Sequence, residues 1–164
     1  MTVRRITAAD ASKARALRIE MLADTPLAFI TTVADAAALS HDEYVGRATR
    51  SASGSQHAQF VAEADGRLVA TVGAFAHPAD ATRTVLVAVY VTPAHRGTGV
   101  LGALVDLAGQ WSRDCGRPTL ELEVVTTNGR ARRAYQKLGF VDHGPPVPHP
   151  TVPIMTEQRM ARPA

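Results

Sequence analysis

The sequence predicts a mixed α/β fold, with a central sheet of about seven strands flanked by about four helices. Three observations lead there. Residues 85–91, VLVAVYV, form an unbroken apolar run rich in β-branched and aromatic side chains, ended by Thr92-Pro93. Helical spacing from about residue 100 and alternation from residue 120 then make a strand–helix–strand crossover, whose two strands must run parallel with a right-handed connection. Upstream, apolar segments at 60–63 and 68–75 flank Asp65-Gly66, a two-residue hairpin signal, so part of the sheet is antiparallel.

The elements follow in order. Residues 2–6 read as a short first strand. Ala14, Leu17 and Met21 share one face of a helix over about 10–22, with Asp10 as its N-cap and Asp24-Thr25-Pro26 as its end. Residues 27–35 read as a loop. Ser40 and Glu43 fit a capping box that opens a helix to about Arg50. SASGSQH, residues 51–57, reads as a flexible linker before the hairpin. Leu101, Leu104, Val105, Ala108 and Trp111 line one face of the helix after the central strand, which Gly116 stops. In the next strand Leu120, Leu122 and Val124 alternate with Glu121, Glu123 and Val125. Asn128 caps a helix whose inner face carries Ala131, Ala134, Tyr135 and Leu138, and Gly139 ends it. A strand starts at Phe140-Val141, a rigid proline-rich loop follows, and residues 154–160 close the sheet.

Between the central strand and its helix lies Arg96-Gly97-Thr98-Gly99-Val100-Leu101-Gly102. Unpaired N–H groups, a positive dipole end and glycines that allow close approach make such a turn suitable for a phosphate. A glycine-rich loop without a ligand is the other reading of these residues. The literal G-x-G-x-x-G does not make a dinucleotide fold, because residues 92–96 separate it from the strand and too little chain follows. No Gly-Lys-Ser/Thr is present, so it is not a nucleotide-triphosphate loop either.

Composition narrows the class. The 164 residues, 46% hydrophobic and 20% charged, suit one globular domain spanning 1–164. No apolar run reaches transmembrane length and no signal peptide is evident, so a membrane partner is not expected. The single cysteine, Cys115, excludes an intrachain disulfide and suits a cytoplasmic location. The net charge of +3 is spread along the chain and only 5% of residues are aromatic, which argues against nucleic acid. The six histidines show no ligand spacing on a shared face, so no metal is expected.

Two motifs give the chain a family resemblance. Arg96 and Gly99, preceded by Val91-x-Pro93, match the coenzyme A signature Arg/Gln-x-x-Gly-x-Gly/Ala. Asn128-x-x-Ala131-x-x-x-Tyr135-x-x-x-Gly139-Phe140 matches the pattern after the following strand. In this order and spacing they resemble the GNAT superfamily of N-acetyltransferases over roughly residues 60–145. One position departs: the third signature glycine would fall at Leu101, and the glycine comes one place later, at Gly102.

The resemblance implies a sheet splayed between the 85–91 and 119–125 strands. It implies a pantetheine arm lying in that opening along Val89, Tyr90 and Val91, with backbone hydrogen bonds at Val89 and Val91. The pyrophosphate would rest on Gly97, Thr98, Gly99, Val100, Leu101 and Gly102, beside Arg96, and Asn128 would touch the arm. Acetyl-CoA is the implied cosubstrate. A small-molecule or peptide amine is the implied acceptor, held between the 22–35 and 145–153 loops. Tyr135 is the implied general acid. Glu123 is the candidate base, since Leu122-Glu123-Val124 is similar to members that acetylate the N-terminus of a ribosomal protein. Glu121 on the same face could raise its pKa by like-charge repulsion, and His149 is a second candidate base. A coenzyme-binding sensor without turnover, or transfer of another acyl group, stays open, and a homodimer enters by analogy alone.

Overall fold

A computed structural model describes every residue, Met1–Ala164. The strands are β1 Thr2–Arg5, β2 His57–Ala64, β3 Arg67–Ala76, β4 Arg83–Val91, β5 Thr119–Val125, β6 Val141–Asp142, β7 Val147–Pro148 and β8 Thr156–Pro163; the helices are α1 Ala11–Asp24, α2 Val33–Ala38, α3 His41–Ala52, α4 Val100–Asp114 and α5 Gly129–Lys137. The strands form one sheet in the order β1-β2-β3-β4-β5-β8-β6, with β7 beside β8. All neighbours are antiparallel except β4 and β5, the pair joined by the α4 crossover. No helix is long and apolar enough to cross a membrane.

The sheet has a core on each face. On one, Leu104, Val105, Ala108 and Trp111 of α4 pack with Phe60, Val72, Leu86, Leu120, Leu122 and Met160, and Tyr135 of α5 joins them. On the other, Leu17, Met21 and Leu22 of α1 and Ala48 of α3 cover Ile6, Val61, Leu68 and Tyr90. Asp65 and Gly66 both take positive φ, 50° and 75°, as a primed hairpin turn requires.

Four local readings change. First, the Asp10 side chain does not cap α1. Its carboxylate turns back to accept from the Thr7 backbone N–H at 2.8 Å and hydroxyl at 2.9 Å, and from Arg4 at 2.7 and 2.8 Å. Second, the 27–35 loop holds a short 3-10 turn, Pro26–Ala28, and the start of α2. Thr32 caps α2, its hydroxyl accepting from the Asp35 N–H while Asp35 accepts from the Thr32 N–H, the same box as at Ser40 and Glu43. Third, the 51–57 linker is tied down by its carbonyls. Those of Ser51, Gly54 and His57 accept from Arg5, that of Gly54 also from the Trp111 indole, and that of Ser55 from Arg117. Fourth, the proline-rich stretch contributes the two-residue strand β7, which raises the count to eight.

The Arg4–Asp10 pair closes the start of the chain onto the sheet. Arg4 also bonds Glu63 of β2, and Glu63 accepts from Lys13 of α1, so β1, β2 and α1 share one charge network. The Arg4 guanidinium holds the Asp10 carboxyl, only 5% exposed, well below the usual carboxylate range. Asp10→Ala is expected to cost about 2–3 kcal/mol at neutral pH, the size of hydrogen bonds to a buried charge. Because the folded pKa is depressed, that contribution is present above the unfolded value of about 3.9 and is lost as pH falls through the folded value. Urea denaturation should therefore show the two proteins converging below about pH 4. A gap unchanged between pH 7 and pH 2.5 contradicts this account.

Candidate active site

The site begins where strand pairing stops. Residues 83–86 of β4 pair with 119–122 of β5, and beyond Leu86 and Leu122 the two strands part. The break coincides with a bulge. Tyr90 pairs with Thr71 and Val87 with Gly73, so β4 holds one residue more than β3 can match, and Ala88 sits there at φ 50°. The extra residue reverses the alternation. Leu86 faces the α4 core; after the bulge Val89 and Val91 face it, while Ala88 and Tyr90 face the α1–α3 core. Gly73 allows this crossing, since a Cβ there would lie 3.2 Å from the Val87 carbonyl oxygen.

The parted strands wall a cleft of about 750 Å³ that also reaches the glycine loop, α5 and the segment after α1. Val89, Tyr90, Val91, Arg96, Gly97, Gly99, Val100, Leu101, Gly102, Glu123, Asn128 and Tyr135 all line it. Of the residues expected to touch the coenzyme Thr98 alone does not, its hydroxyl donating to the His95 carbonyl at 2.7 Å, and the second candidate base, His149, does not line the cleft either.

At one end of the cleft lies a donor array. Gly97 and Gly99 take φ of 79° and 86°, which glycine reaches without strain, and α4 starts at Val100. None of the six backbone N–H groups from residue 97 to 102 has an acceptor within the protein. Gly97 to Gly99 are exposed and Val100 to Gly102 form the first turn of α4, whose N–H groups have no intrahelical acceptor, and a glycine loop running into such a helix start suits a polyanion. Leu101 fits this arrangement, since its side chain packs on the α4 core while its N–H remains among the six. Gly102 has a different task. A Cβ there would lie 3.4 Å from the end of the Leu138 side chain, the near limit of ordinary contact, so Gly102 sits where α4 meets the residue that follows α5.

Arg96 differs from expectation. Its guanidinium pairs with Asp24 at the end of α1, donates from Nε to the Val91 carbonyl at 3.0 Å and lies 5.9 Å from the Tyr90 ring centre. Its contacts are thus within the protein, and it occupies the Val91 carbonyl that a pantetheine arm was expected to use. Tyr90 meets the cleft with its backbone side, while its buried hydroxyl has no hydrogen-bond partner; burial and the nearby Asp24 push that phenol up to about 12.

Asn128 caps α5, its Oδ1 accepting from the Ala131 N–H at 3.1 Å. The helix presents Ala131, Ala134 and Tyr135 to the cleft. The Tyr135 ring packs edge-on to Phe140 with centres 5.9 Å apart, and its hydroxyl makes no hydrogen bond within the protein. Burial raises the phenol far above its ordinary value, so it holds its proton throughout the neutral range.

The carboxylates sort differently from the sequence reading. Glu121 is 7% exposed and paired with Arg83 at 2.8 Å and Arg159 at 3.1 Å. Arg159, across from Glu123 on β8, also reaches Glu123 at 3.2 Å. A guanidinium therefore lies between the two acids, and repulsion between them is no longer the governing effect. Glu123 is 42% exposed. His149 is buried, and its Nδ1 accepts from the Thr151 and Val152 N–H groups at 3.2 and 3.1 Å, so that nitrogen has no free lone pair for a base. Its proton is thereby assigned to Nε2, which faces Glu157 at 3.7 Å.

Glu157 is the residue that sequence reading missed. It sits on β8 between Val125 and Val147, lines the cleft, is 13% exposed and makes no hydrogen bond. Burial, with Glu123 nearby, raises its pKa against the opposing effect of His149. The signal available was alternation: on a strand paired with β5, Glu157 and Arg159 share the face of Glu123.

Comparison with known proteins follows from this geometry. A model of the acetyltransferase (GNAT) family matches residues 22–140. A GNAT-family acetyltransferase from Streptococcus pneumoniae superposes with TM-score 0.83 at 20% identity, covering 99% of this chain and 98% of that one. A putative acetyltransferase from Salmonella typhimurium, solved with its cofactor acetyl-CoA, gives 0.78 at 19% identity over 99% and 93%. Nourseothricin acetyltransferase is 30% identical over 66% of this chain and 65% of its own, with TM-score 0.61. A search of the curated proteins finds no match.

The bulge makes its own prediction. A non-glycine residue at positive φ costs about 1–2 kcal/mol, and glycine loses a comparable amount of chain entropy on folding. Ala88→Gly is expected to change stability by less than about 1 kcal/mol, whereas the β-branched Ala88→Val should cost about 2 kcal/mol or more. Thermal denaturation of both variants checks the order, and a tolerated valine contradicts the bulge.

Proposed function

Because the chain belongs to the acetyltransferase (GNAT) family, we propose that it transfers an acetyl group from acetyl-CoA to a primary amine by direct attack in a ternary complex. The observation that carries this reading is the cleft between β4 and β5, with six unpaired N–H donors at one end and the Tyr135 hydroxyl in its wall. The donors suit the coenzyme's pyrophosphate, and the exposed cations Arg130 and Lys137, which also line the cleft, add attraction for a polyanion. Leu101 gives no ground for a binder without turnover, because it withholds no donor.

Each residue has a step. An alkylamine is almost wholly protonated near pH 7, its pKa being about 10.4. A carboxylate must take that proton, directly or through water. Glu157 is better suited than Glu123, being shielded and held by no arginine, where Glu123 is exposed and shares Arg159. The neutral nitrogen then attacks the thioester carbon. The carbon–sulfur bond breaks as Tyr135 gives its proton to the departing thiolate, whose thiol pKa is about 8.5. The attacking nitrogen, left positively charged, loses its second proton to solvent as the amide forms; the carboxylate releases the first to solvent, and solvent reprotonates Tyr135. The name of the nourseothricin enzyme supports a small-molecule acceptor.

Calorimetry is expected to show coenzyme A binding that weakens with added salt; no binding at high micromolar coenzyme overturns the reading. In a thiol-release assay over a panel of amines, Tyr135→Phe should lower kcat by roughly 10²-fold with little change in acetyl-CoA affinity. Full kcat in that variant would make Tyr135 a packing residue.

The base is tested by pH. A base acts deprotonated, so kcat/KM rises with pH through its pKa. A raised Glu157 pKa places that acidic limb above the ordinary carboxylate value of about 4.3. Glu157→Gln should abolish the limb and lower kcat/KM by about 10²-fold or more, whereas Glu123→Gln should keep the limb. The reverse pattern returns the role to Glu123.

A further inference from the structure

Six of the chain's 18 lysines and arginines make no hydrogen bond or ion pair within the protein: Arg18, Arg47, Arg50, Arg130, Arg133 and Lys137. Five of them are exposed, where water satisfies them; Arg18 alone is half-buried. It lies on α1, lines the cleft beside Phe29 and Ile30, and rests 5.7 Å from the Phe29 ring centre. The ring face attracts the cation but accepts none of its five N–H donors in the plane of the fork.

No carboxylate lies close enough to act on Arg18. The ionisable groups that do, Tyr44 and Arg47, both come from α3, and burial lowers the guanidinium's pKa below its ordinary value. A desolvated, unpaired guanidinium is costly, and removing its partner from such a charge is what destabilises proteins. Carboxylates show the mirror image. Only Asp42, Asp65 and Glu157 make no hydrogen bond, and of these only Glu157 is shielded. The cleft therefore contains one half-buried guanidinium with no hydrogen bond or counter-charge in the protein and one shielded carboxylate with no hydrogen bond, faced by His149 Nε2 at 3.7 Å; Arg130 and Lys137, which also line it, are exposed.

We infer that the acceptor is a small molecule carrying both a primary amine and a carboxylate, an amino acid in the broad sense, with its carboxylate on Arg18 and its amine at Glu157. This rests on the acetyltransferase reading and narrows its acceptor. The planar fork of Arg18 matches a carboxylate through two parallel hydrogen bonds. Phe29 and Ile30 supply an apolar wall for the rest of the molecule.

The test uses matched pairs: leucine with isopentylamine, phenylalanine with phenethylamine, histidine with histamine. Thiol release from saturating acetyl-CoA gives kcat/KM for each member. The wild-type protein should prefer the acid in at least one pair. Arg18→Met should reduce that acid-to-amine ratio by roughly tenfold to a hundredfold, chiefly through KM, as loss of a charge-assisted hydrogen-bonded pair implies. Arg18→Lys, which keeps the charge without the fork, should fall between and serves if the methionine variant does not fold. A wild-type preference for the decarboxylated amines, or a ratio untouched by either substitution, overturns the inference. So does a rise in KM for acetyl-CoA instead, which would assign Arg18 to the coenzyme. If no amine turns over, the acetyltransferase reading fails on its own. The same pairs are then titrated onto protein saturated with coenzyme A. Carboxylate-dependent binding lost in Arg18→Met still supports the Arg18 site, and its absence overturns it.

Discussion

β4 and β5 run parallel for four residue pairs and then separate, and the rest of the site depends on that separation. A sheet that stayed closed would place residues 87–89 against 123–125 and leave no cleft. Opening it costs the ladder hydrogen bonds those residues would have made. It leaves strand edges with polar groups facing a common space, and an extended ligand with amide groups can replace the missing strand. The glycine loop follows the end of β4 and Glu157 pairs with the end of β5, so both border that same opening. The reacting centre is expected between them, beside Tyr135.

The surroundings hold the opening apart. α4 is locked to the shared stem of the two strands by a buried polar cluster. Ser112 donates to the Arg117 carbonyl at 2.6 Å and lies 2.8 Å from the Thr84 hydroxyl, which also accepts from Arg117 Nε at 2.8 Å. The Arg117 guanidinium stacks 4.5 Å from the centre of the Trp111 ring. On the open side, β8 continues alongside β5 to its end, so β5 does not lose both neighbours at once. The Asp24–Arg96–Val91 chain ties the end of α1 to the far end of β4. The segment that carries Phe29 and the loop that carries the N–H donors therefore share an anchor.

Much of this was legible in the sequence because local chemistry announces it. Pro93 and the glycines bracket the loop, Asp65-Gly66 sets the hairpin, Asn128 caps its helix, and the alternation of 120–125 places both acids on one face. Other features were hidden for physical reasons. An all-apolar run such as 85–91 has no polar residue to mark its phase, so the bulge leaves no trace in periodicity. α2 is six residues long and its capping box uses Asp where Glu or Gln is the stronger sign. The roles of Arg96 and Glu123 depend on Asp24 and Arg159, 72 and 36 residues away in the chain, and that of Glu121 on Arg83, 38 residues away. Arg18 and Glu157 stand out as shielded charges without a hydrogen bond, and only the folded chain can show which charges lack one.

The bulge has a consequence for how this chain tolerates change in length. Excising Ala88 would leave Val87 followed directly by Val89, so that strict alternation from Leu86 would keep Val89 and Val91 on the α4 core and Tyr90 on the α1–α3 core. Val87, Val89 and Tyr90 would then match Gly73, Val72 and Thr71 one for one. The side chains would stay on their faces, and only the bulge and the local bend it gives β4 would be lost. A one-residue deletion thus separates two things that substitution cannot, the packing of β4 on its two cores and the shape of the strand where the cleft begins.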